Sequence, residues 1–301
     1  MKTILMFPGQ GSQYYGMGIE LLDKYPNLEE FIFKADKILN ENFTKIFNDE
    51  KSYKNTYHTQ MMIVITQSMI LEILRQKNIT YDGVIGFSLG DMTAAYASGL
   101  YDYETLIRLT AVRAKSMQKA CYKSEGTMAA VLKLEKEVVE KICQDVNKKN
   151  DYMVPVNYNA PLQTVISGHK SSLEKFLTVV KEKGGRLIPL NVDGAFHTEL
   201  MKVDLDEYKN KLNDINFFDP KFEKFSNVSG DVIKVNFHKD MYEQVFSPVY
   251  TQKMFENALL RGYNKFIEVG PGGILSGLLN KLSHNAKIIT IKSASLLEEI
   301  L

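Results

Sequence analysis

Two apolar periods alternate along the chain. Short continuous runs at 3–7 and at 82–87 read as buried strands. Longer stretches repeat apolar positions every three or four residues and read as helices. In 59–78 those positions include Met62, Ile63, Ile65, Thr66, Met69, Ile70 and Ile73. Helices are also predicted over 18–40 and 104–122, and a small-residue helix containing Thr93, Ala94, Ala95 and Ala97 follows the second strand.

Between 126 and 192 the order changes. Strands are predicted at 127–134, 152–158, 163–167 and 186–192, and helices at 136–148 and 171–183, with Ser171 and Glu174 as a capping box. Strand-helix-strand-strand-helix-strand is the split unit of a ferredoxin-like module. Beyond it, helices are predicted at 199–213, 239–245, 250–261 and 274–283, a strand-to-turn at 225–228, and a strand at 266–269. The fold class expected is α/β: a hydrolase-like parallel-sheet domain, discontinuous over 1–124 and 193–301, carrying a ferredoxin-like α+β insertion over 125–192.

Composition narrows the function classes without choosing one. A net charge of +1 over 301 residues gives no nucleic-acid or membrane-surface signature. Two cysteines, Cys121 and Cys143, are too few for a disulfide framework. No stretch approaches the roughly 20 apolar residues of a membrane span, and Pro8-Gly9 cuts the N-terminal apolar run short of a signal peptide. A cytoplasmic protein is expected.

The candidate chemistry centres on Gly86-Phe87-Ser88-Leu89-Gly90. The string alone is weak, arising by chance in about one chain in ten of this length. Its setting is more specific, because an apolar strand leads in and a small-residue helix leads out, as at a nucleophile elbow. A serine nucleophile needs a base. Of the five histidines, His197 lies where the chain leaves the insertion, at the junction of the two domains, where pockets form. No acid is clearly placed to complete a triad. Asp193 is close in sequence, and a backbone carbonyl could orient the imidazole instead. Arg113 is the remaining anomaly: it is the only charge in the apolar stripe Leu106, Leu109, Met117, Ala120. A buried guanidinium is costly unless paired, so it implies either a structural ion pair or a two-pronged clamp for a substrate carboxylate.

These residues resemble the malonyl-CoA:acyl carrier protein transacylases, acyltransferases of fatty-acid and polyketide synthesis. The likeness runs from Phe7-Pro8-Gly9-Gln10-Gly11-Ser12-Gln13 through the Ser88 pentapeptide, Arg113 with Met117-Gln118, and Gly126-Thr127-Met128-Ala129. It continues through Val156-Asn157-Tyr158-Asn159-Ala160-Pro161, Val165-Ile166-Ser167-Gly168, Ala195-Phe196-His197 and Glu268-Val269-Gly270-Pro271-Gly272. The resemblance implies a Ser88–His197 dyad, an oxyanion hole from the backbone N–H groups of Gln10 and Leu89, and Arg113 on the malonyl carboxylate. It implies that the Gln244 carbonyl orients the histidine and that Phe87, Met117 and Phe196 line the pocket. It further implies malonyl-CoA as the CoA thioester substrate, a holo acyl carrier protein as partner, no resident cofactor or metal, and a monomer. The chain departs from the family pattern at Phe87, where histidine is common, at Asp91, where glutamate is usual, and at Thr59-Gln60-Met61-Met62, where the signature is Thr-Gln-Pro-Ala. A trans-acting polyketide acyltransferase and an acyl hydrolase or thioesterase with the same dyad are the alternatives. Lys115, Lys119, Lys123, Lys181 and Lys183 are candidates for a basic rim facing an acidic carrier.

Overall fold

A computed structural model describes residues 1–147, 151–192 and 194–293. The chain opens with β1 (Lys2–Phe7), whose residues Ile4 to Phe7 are wholly buried. Leu5 and Phe7 pack into one apolar core and Ile4 and Met6 into another, so the strand is covered on both faces. A continuous apolar run is what such a strand requires. Next come α1 (Ile19–Leu22), α2 (Glu29–Leu39), α3 (Phe43–Phe47) and α4 (Thr56–Gln76). The single helix predicted over 18–40 is thus broken. Pro26 lacks an N–H, and Tyr25 before it sits at φ −124°, ψ 67°, outside the helical region. The side chains of α4 are buried nearly all round.

Strand β2 (Gly83–Gly86), α5 (Gly90–Ser98) and α6 (Tyr103–Ser124) complete the first half of the larger domain. Then β3 (Gly126–Leu132), α7 (Lys136–Val146), β4 (Met153–Ala160), β5 (Gln163–His169), α8 (Leu173–Glu182) and β6 (Arg186–Pro189) follow. These four strands make an antiparallel sheet in the order β4-β5-β3-β6, the arrangement of the split unit predicted. The Ser171 capping box does not form. A 3-10 turn occupies Lys170–Ser172, Ser172 takes the position before α8, and its hydroxyl accepts from Tyr152 N instead. The expected domain boundary at residue 193 lies outside the described residues.

The chain then gives α9 (Asp206–Asn213), β7 (Glu223–Phe225), β8 (Val232–Ile233), α10 (Phe237–Glu243), α11 (Thr251–Leu260), β9 (Tyr263–Val269), α12 (Ile274–Leu279) and β10 (Lys287–Ile291). The helix predicted over 199–213 is split by Asp204, in the left-handed region at φ 69° and 2.6 Å from Lys123 Nζ. Strands β8 and β10 had no counterpart in the sequence reading. The large sheet runs β10-β9-β1-β2-β7-β8, parallel except for the last pair. The insertion is stitched to this domain by Val249, which donates to Val156 O at 2.7 Å and accepts from Tyr158 N at 3.0 Å. Among the described residues no helix is long and apolar enough to cross a membrane.

A buried ion cluster ties three elements together. Lys224 of β7, with a fully buried side chain, is 2.7 Å from Asp91 of α5 and 3.8 Å from Asp240 of α10. Burial pushes Asp91 up to about 6 and the ammonium opposes it, so both groups are charged at neutral pH. Lys224→Ala leaves two carboxylates buried without a cation and is expected to cost about 3–5 kcal/mol. Lys141→Ala, which breaks the exposed 2.7 Å pair with Asp145, is expected to cost less than about 1 kcal/mol. Urea denaturation of the two variants checks the contrast.

Candidate active site

The site lies beyond the carboxyl ends of β1, β2, β7 and β9, where open α/β sheets hold their ligands. Ser88 occupies the turn between β2 and α5 at φ 51°, a strained conformation for a residue with a Cβ. Both glycines of the pentapeptide are there because backbone passes too close for any side chain. A Cβ on Gly86 would sit 2.3 Å from Asp91 N, and one on Gly90 would sit 1.9 Å from Phe7 O. The strain is held from both sides. Ser88 N donates to Asn227 Oδ1 at 2.8 Å, and Ser88 O accepts from Gln244 Nε2 at 2.5 Å. Asn227 Nδ2 in turn donates to Gly86 O at 2.7 Å, so one side chain spans the turn.

His197, 109 residues away in sequence, places Nε2 2.7 Å from Ser88 Oγ. Its Nδ1 is 2.9 Å from the main-chain carbonyl of Gln244, which fixes the tautomer with Nε2 free to accept. The candidate acid Asp193 lies outside the described residues. Gly126 lets the loop bearing His197 lie against β3, since a Cβ there would meet Ala195 N at 2.3 Å. Burial and then the Arg113 charge push the His197 pKa down, to about 4. The imidazole is therefore neutral and able to take a proton at any physiological pH.

Arg113 projects from α6 into the same space and is buried, as the stripe predicted. No ion pair among the described residues includes it. Its Nη1 donates to Gln60 Oε1 at 2.8 Å and its Nη2 to Gln244 Oε1 at 3.1 Å, both neutral acceptors, while Nε has no partner. The structural ion pair that would have explained its burial does not exist here. The guanidinium is thus held by two amides with one N–H to spare.

The Pro8–Ser12 loop runs beside the elbow. Gly9 passes so near that a Cβ would be 2.5 Å from Phe87 O, and Gln67 Nε2 pins the Pro8 carbonyl at 2.6 Å. Among the described residues, the main-chain N–H groups of Gln10 and Leu89 are not used in the backbone hydrogen bonds of the turns and loops. Met117 and Phe196 are buried, with Met117 Sδ 3.7 Å from Gln60 Nε2. Phe87 is half-buried and packs on the core that holds Ile4, Met6 and Ile85. The candidate rim is not a single bare patch. Lys115, Lys119 and Lys123 line the outside of α6 beside Glu41, Glu207 and Asp204, whereas Lys181 and Lys183 are at the end of α8.

Sequence reasoning overlooked Gln60, Asn227 and the side chain of Gln244. Gln60 carries a faint signal as an amide within an apolar helical repeat. Asn227 carries none beyond following a short buried strand.

A part-buried serine–histidine pair at a nucleophile elbow, with a carbonyl on the far side of the imidazole and an arginine that has no ion pair among the described residues, defines an acyl-transferring site. In agreement with it, the chain belongs to the acyl transferase family, whose domain model, described as "Acyl transferase domain", matches residues 4–297. It is 33% identical over 302 residues to a malonyl CoA-acyl carrier protein transacylase of Bacillus subtilis, covering 99% of this chain and 95% of the relative. The crystal structure of a malonyl CoA-acyl carrier protein transacylase from Clostridium perfringens superposes with a TM-score of 0.94 at 32% identity, over 100% of this chain and 96% of that one. A malonyl-transacylase solved in complex with its type II polyketide acyl-carrier protein gives 0.95 at 27% identity, over 100% and 99%.

Two outcomes follow from the geometry. Gly90→Ala forces a methyl into the Phe7 carbonyl and is expected to cost about 1–3 kcal/mol or more, read as a lowered thermal midpoint. In 15N-histidine NMR, His197 is expected to stay neutral through the range in which an ordinary histidine, pKa about 6.5, takes up its proton. Arg113→Ala removes one of the two depressing causes, so the His197 titration should move upward.

Proposed function

We propose that the protein transfers a malonyl group from malonyl-CoA to the phosphopantetheine thiol of an acyl carrier protein through a malonyl ester on Ser88. The observation that carries this reading is Arg113, a buried cation with neutral partners and a spare N–H, beside an activated serine. Its planar fork suits a carboxylate at the far end of the acyl group.

His197 Nε2 takes the Ser88 hydroxyl proton as Oγ attacks the thioester carbonyl. The N–H groups of Gln10 and Leu89 receive the oxyanion, a contribution of about 2.7–4 kcal/mol per donor in such sites. The tetrahedral species collapses, the C–S bond breaks, and the CoA sulfur leaves with the proton held by His197. The carrier thiol then gives its proton to His197 and attacks the serine ester, which returns Ser88 to its hydroxyl form. The kinetics expected are ping-pong. The Gln244 carbonyl stabilises the imidazolium formed in each half. A carboxylate on Arg113 offsets the charge that holds the His197 pKa down, so the base strengthens as the correct acyl group fills the site. Phe87, Met117 and Phe196 are assigned to the pocket walls, with Phe196 against a branched acyl chain.

The proposed setting is the cytoplasm, as a monomer with no resident cofactor, and residues 125–192 acting as a subdomain over the elbow. Fatty-acid synthesis is the pathway proposed. The polyketide complex among the similar structures keeps a polyketide carrier as the second reading. Transfer to fatty-acid and polyketide carriers compared side by side separates the two.

Mixed with malonyl-CoA, the wild-type chain is expected to gain one malonyl group by intact mass and Ser88→Ala none. A malonylated Ser88→Ala protein would overturn the assignment. Arg113→Ala is expected to lose the preference for malonyl-CoA over acetyl-CoA; an unchanged ratio would remove the carboxylate-clamp role.

A further inference from the structure

Gln244 contacts four parts of the site, the longest contact being from Nε2 to Asn227 Oδ1 at 3.4 Å. Its main-chain carbonyl accepts from His197, a contact that any residue at this position would supply. Its side chain does something separate. Oε1 accepts from Arg113 Nη2 at 3.1 Å, and Nε2 donates to the Ser88 carbonyl at 2.5 Å. The two partners settle which way the amide faces, because Arg113 can only donate and a carbonyl can only accept. The side chain is 3% exposed, so water does not compete for either bond.

The bridge joins the two ends of the acyl site. Ser88 comes from the β2–α5 turn, Arg113 from α6, and Gln244 from the end of α10. Apart from this amide, the Arg113 guanidinium is held among the described residues by Gln60 alone, and its Nε has no partner there. An acyl group with a carboxylate at one end and a thioester at the other must reach Arg113 and Ser88 Oγ together. The distance and angle between those two groups then govern how often it sits in attacking geometry. An acyl group without a carboxylate touches only the serine end and is indifferent to that register.

We propose that the Gln244 side chain, distinct from its carbonyl, is a positioning residue that sets the register between Arg113 and Ser88 and thereby selects the length of the dicarboxylyl group accepted. The inference rests on the malonyl-transfer reading given above. Gln244→Met and Gln244→Glu keep the main-chain carbonyl and nearly the same volume. In Gln244→Met the side-chain bonds to Arg113, Ser88 and Asn227 are all lost. In Gln244→Glu the new carboxylate occupies Arg113 in place of the substrate's.

The test measures the rate of Ser88 acylation, by rapid quench and intact mass, with malonyl-CoA, acetyl-CoA and succinyl-CoA. Gln244→Met is expected to slow malonyl acylation at saturation by about 10- to 100-fold, the effect of losing hydrogen bonds to a charged group and a strained carbonyl. Acetyl acylation shares the loss at the Ser88 carbonyl but not the loss at Arg113, so it should slow about tenfold less than malonyl acylation, and the malonyl-to-succinyl ratio should fall by about tenfold, of the order a single methylene decides. Gln244→Glu should raise the KM for malonyl-CoA about tenfold more than the KM for acetyl-CoA, because only the malonyl carboxylate competes with the new one for Arg113. With Arg113→Ala already present, adding Gln244→Met should leave the malonyl-to-acetyl ratio unchanged, because no register remains to lose. Equal slowing of all three substrates, or effects of the two substitutions that multiply, would overturn the proposal. If Gln244→Met does not fold, the Gln244→Glu KM split decides the same question. Failure of the wild type to form malonyl-serine, or an unchanged substrate ratio in Arg113→Ala, would instead defeat the functional reading beneath it.

Discussion

The backbone at Ser88 is held in a left-handed turn that a serine would not adopt by itself, and much of the structure is arranged to hold it there. Strain of this kind costs on the order of 1–3 kcal/mol and persists only where the surroundings over-determine it. Here they do so from four directions. Gly86 and Gly90 let β1 and α5 close on the turn, Asn227 takes the amide and the Gly86 carbonyl, and Gln244 takes the Ser88 carbonyl. Below these sits the Lys224–Asp91–Asp240 cluster, which locks β7, α5 and α10 in one relative position. Asp91 is reached by the long side chain of Lys224 from β7. What the strain achieves is exposure of Oγ to His197 while the helix start behind it presents N–H groups to developing charge.

The electrostatics of the site run against ordinary pairing. Arg113 carries a buried charge with no ion pair among the described residues, and burial first and the Arg113 charge second keep His197 neutral. In the proposed reading a dicarboxylyl substrate brings the counter-charge, and substrate choice follows from which acyl group supplies it. The group that orients the histidine fits the same scheme. A neutral carbonyl at Gln244 orients the imidazole without drawing Arg113 into a permanent ion pair.

Much of this was legible in the residues. The alternation of buried runs and helical periods supplied the parallel-sheet domain and the four-stranded insertion, because apolar periodicity reports burial directly. Ser88 could be found because a tight turn leaves glycines in the sequence, and Arg113 because a lone charge in an apolar stripe is visible on a helical repeat. The helix breaks were the misses. At Pro26 a local steric rule was overlooked, while at Asp204 the break accompanies an ion pair with Lys123 from another helix.

The amino-acid sequence by itself determined which residues had chemistry to offer: a serine in a glycine turn, a histidine in a junction loop, a buried arginine. Only the tertiary structure decided what they face. Ser88 and His197 are 109 residues apart, Arg113 and Gln244 131, and Ser88 and Gln244 156. No local rule relates such positions, because the hydrogen bonds between them exist only after the sheet, α6 and α10 have packed. The sequence also could not show that Arg113 lacks a carboxylate partner, since an absent ion pair is a property of the folded surroundings and not of any one residue.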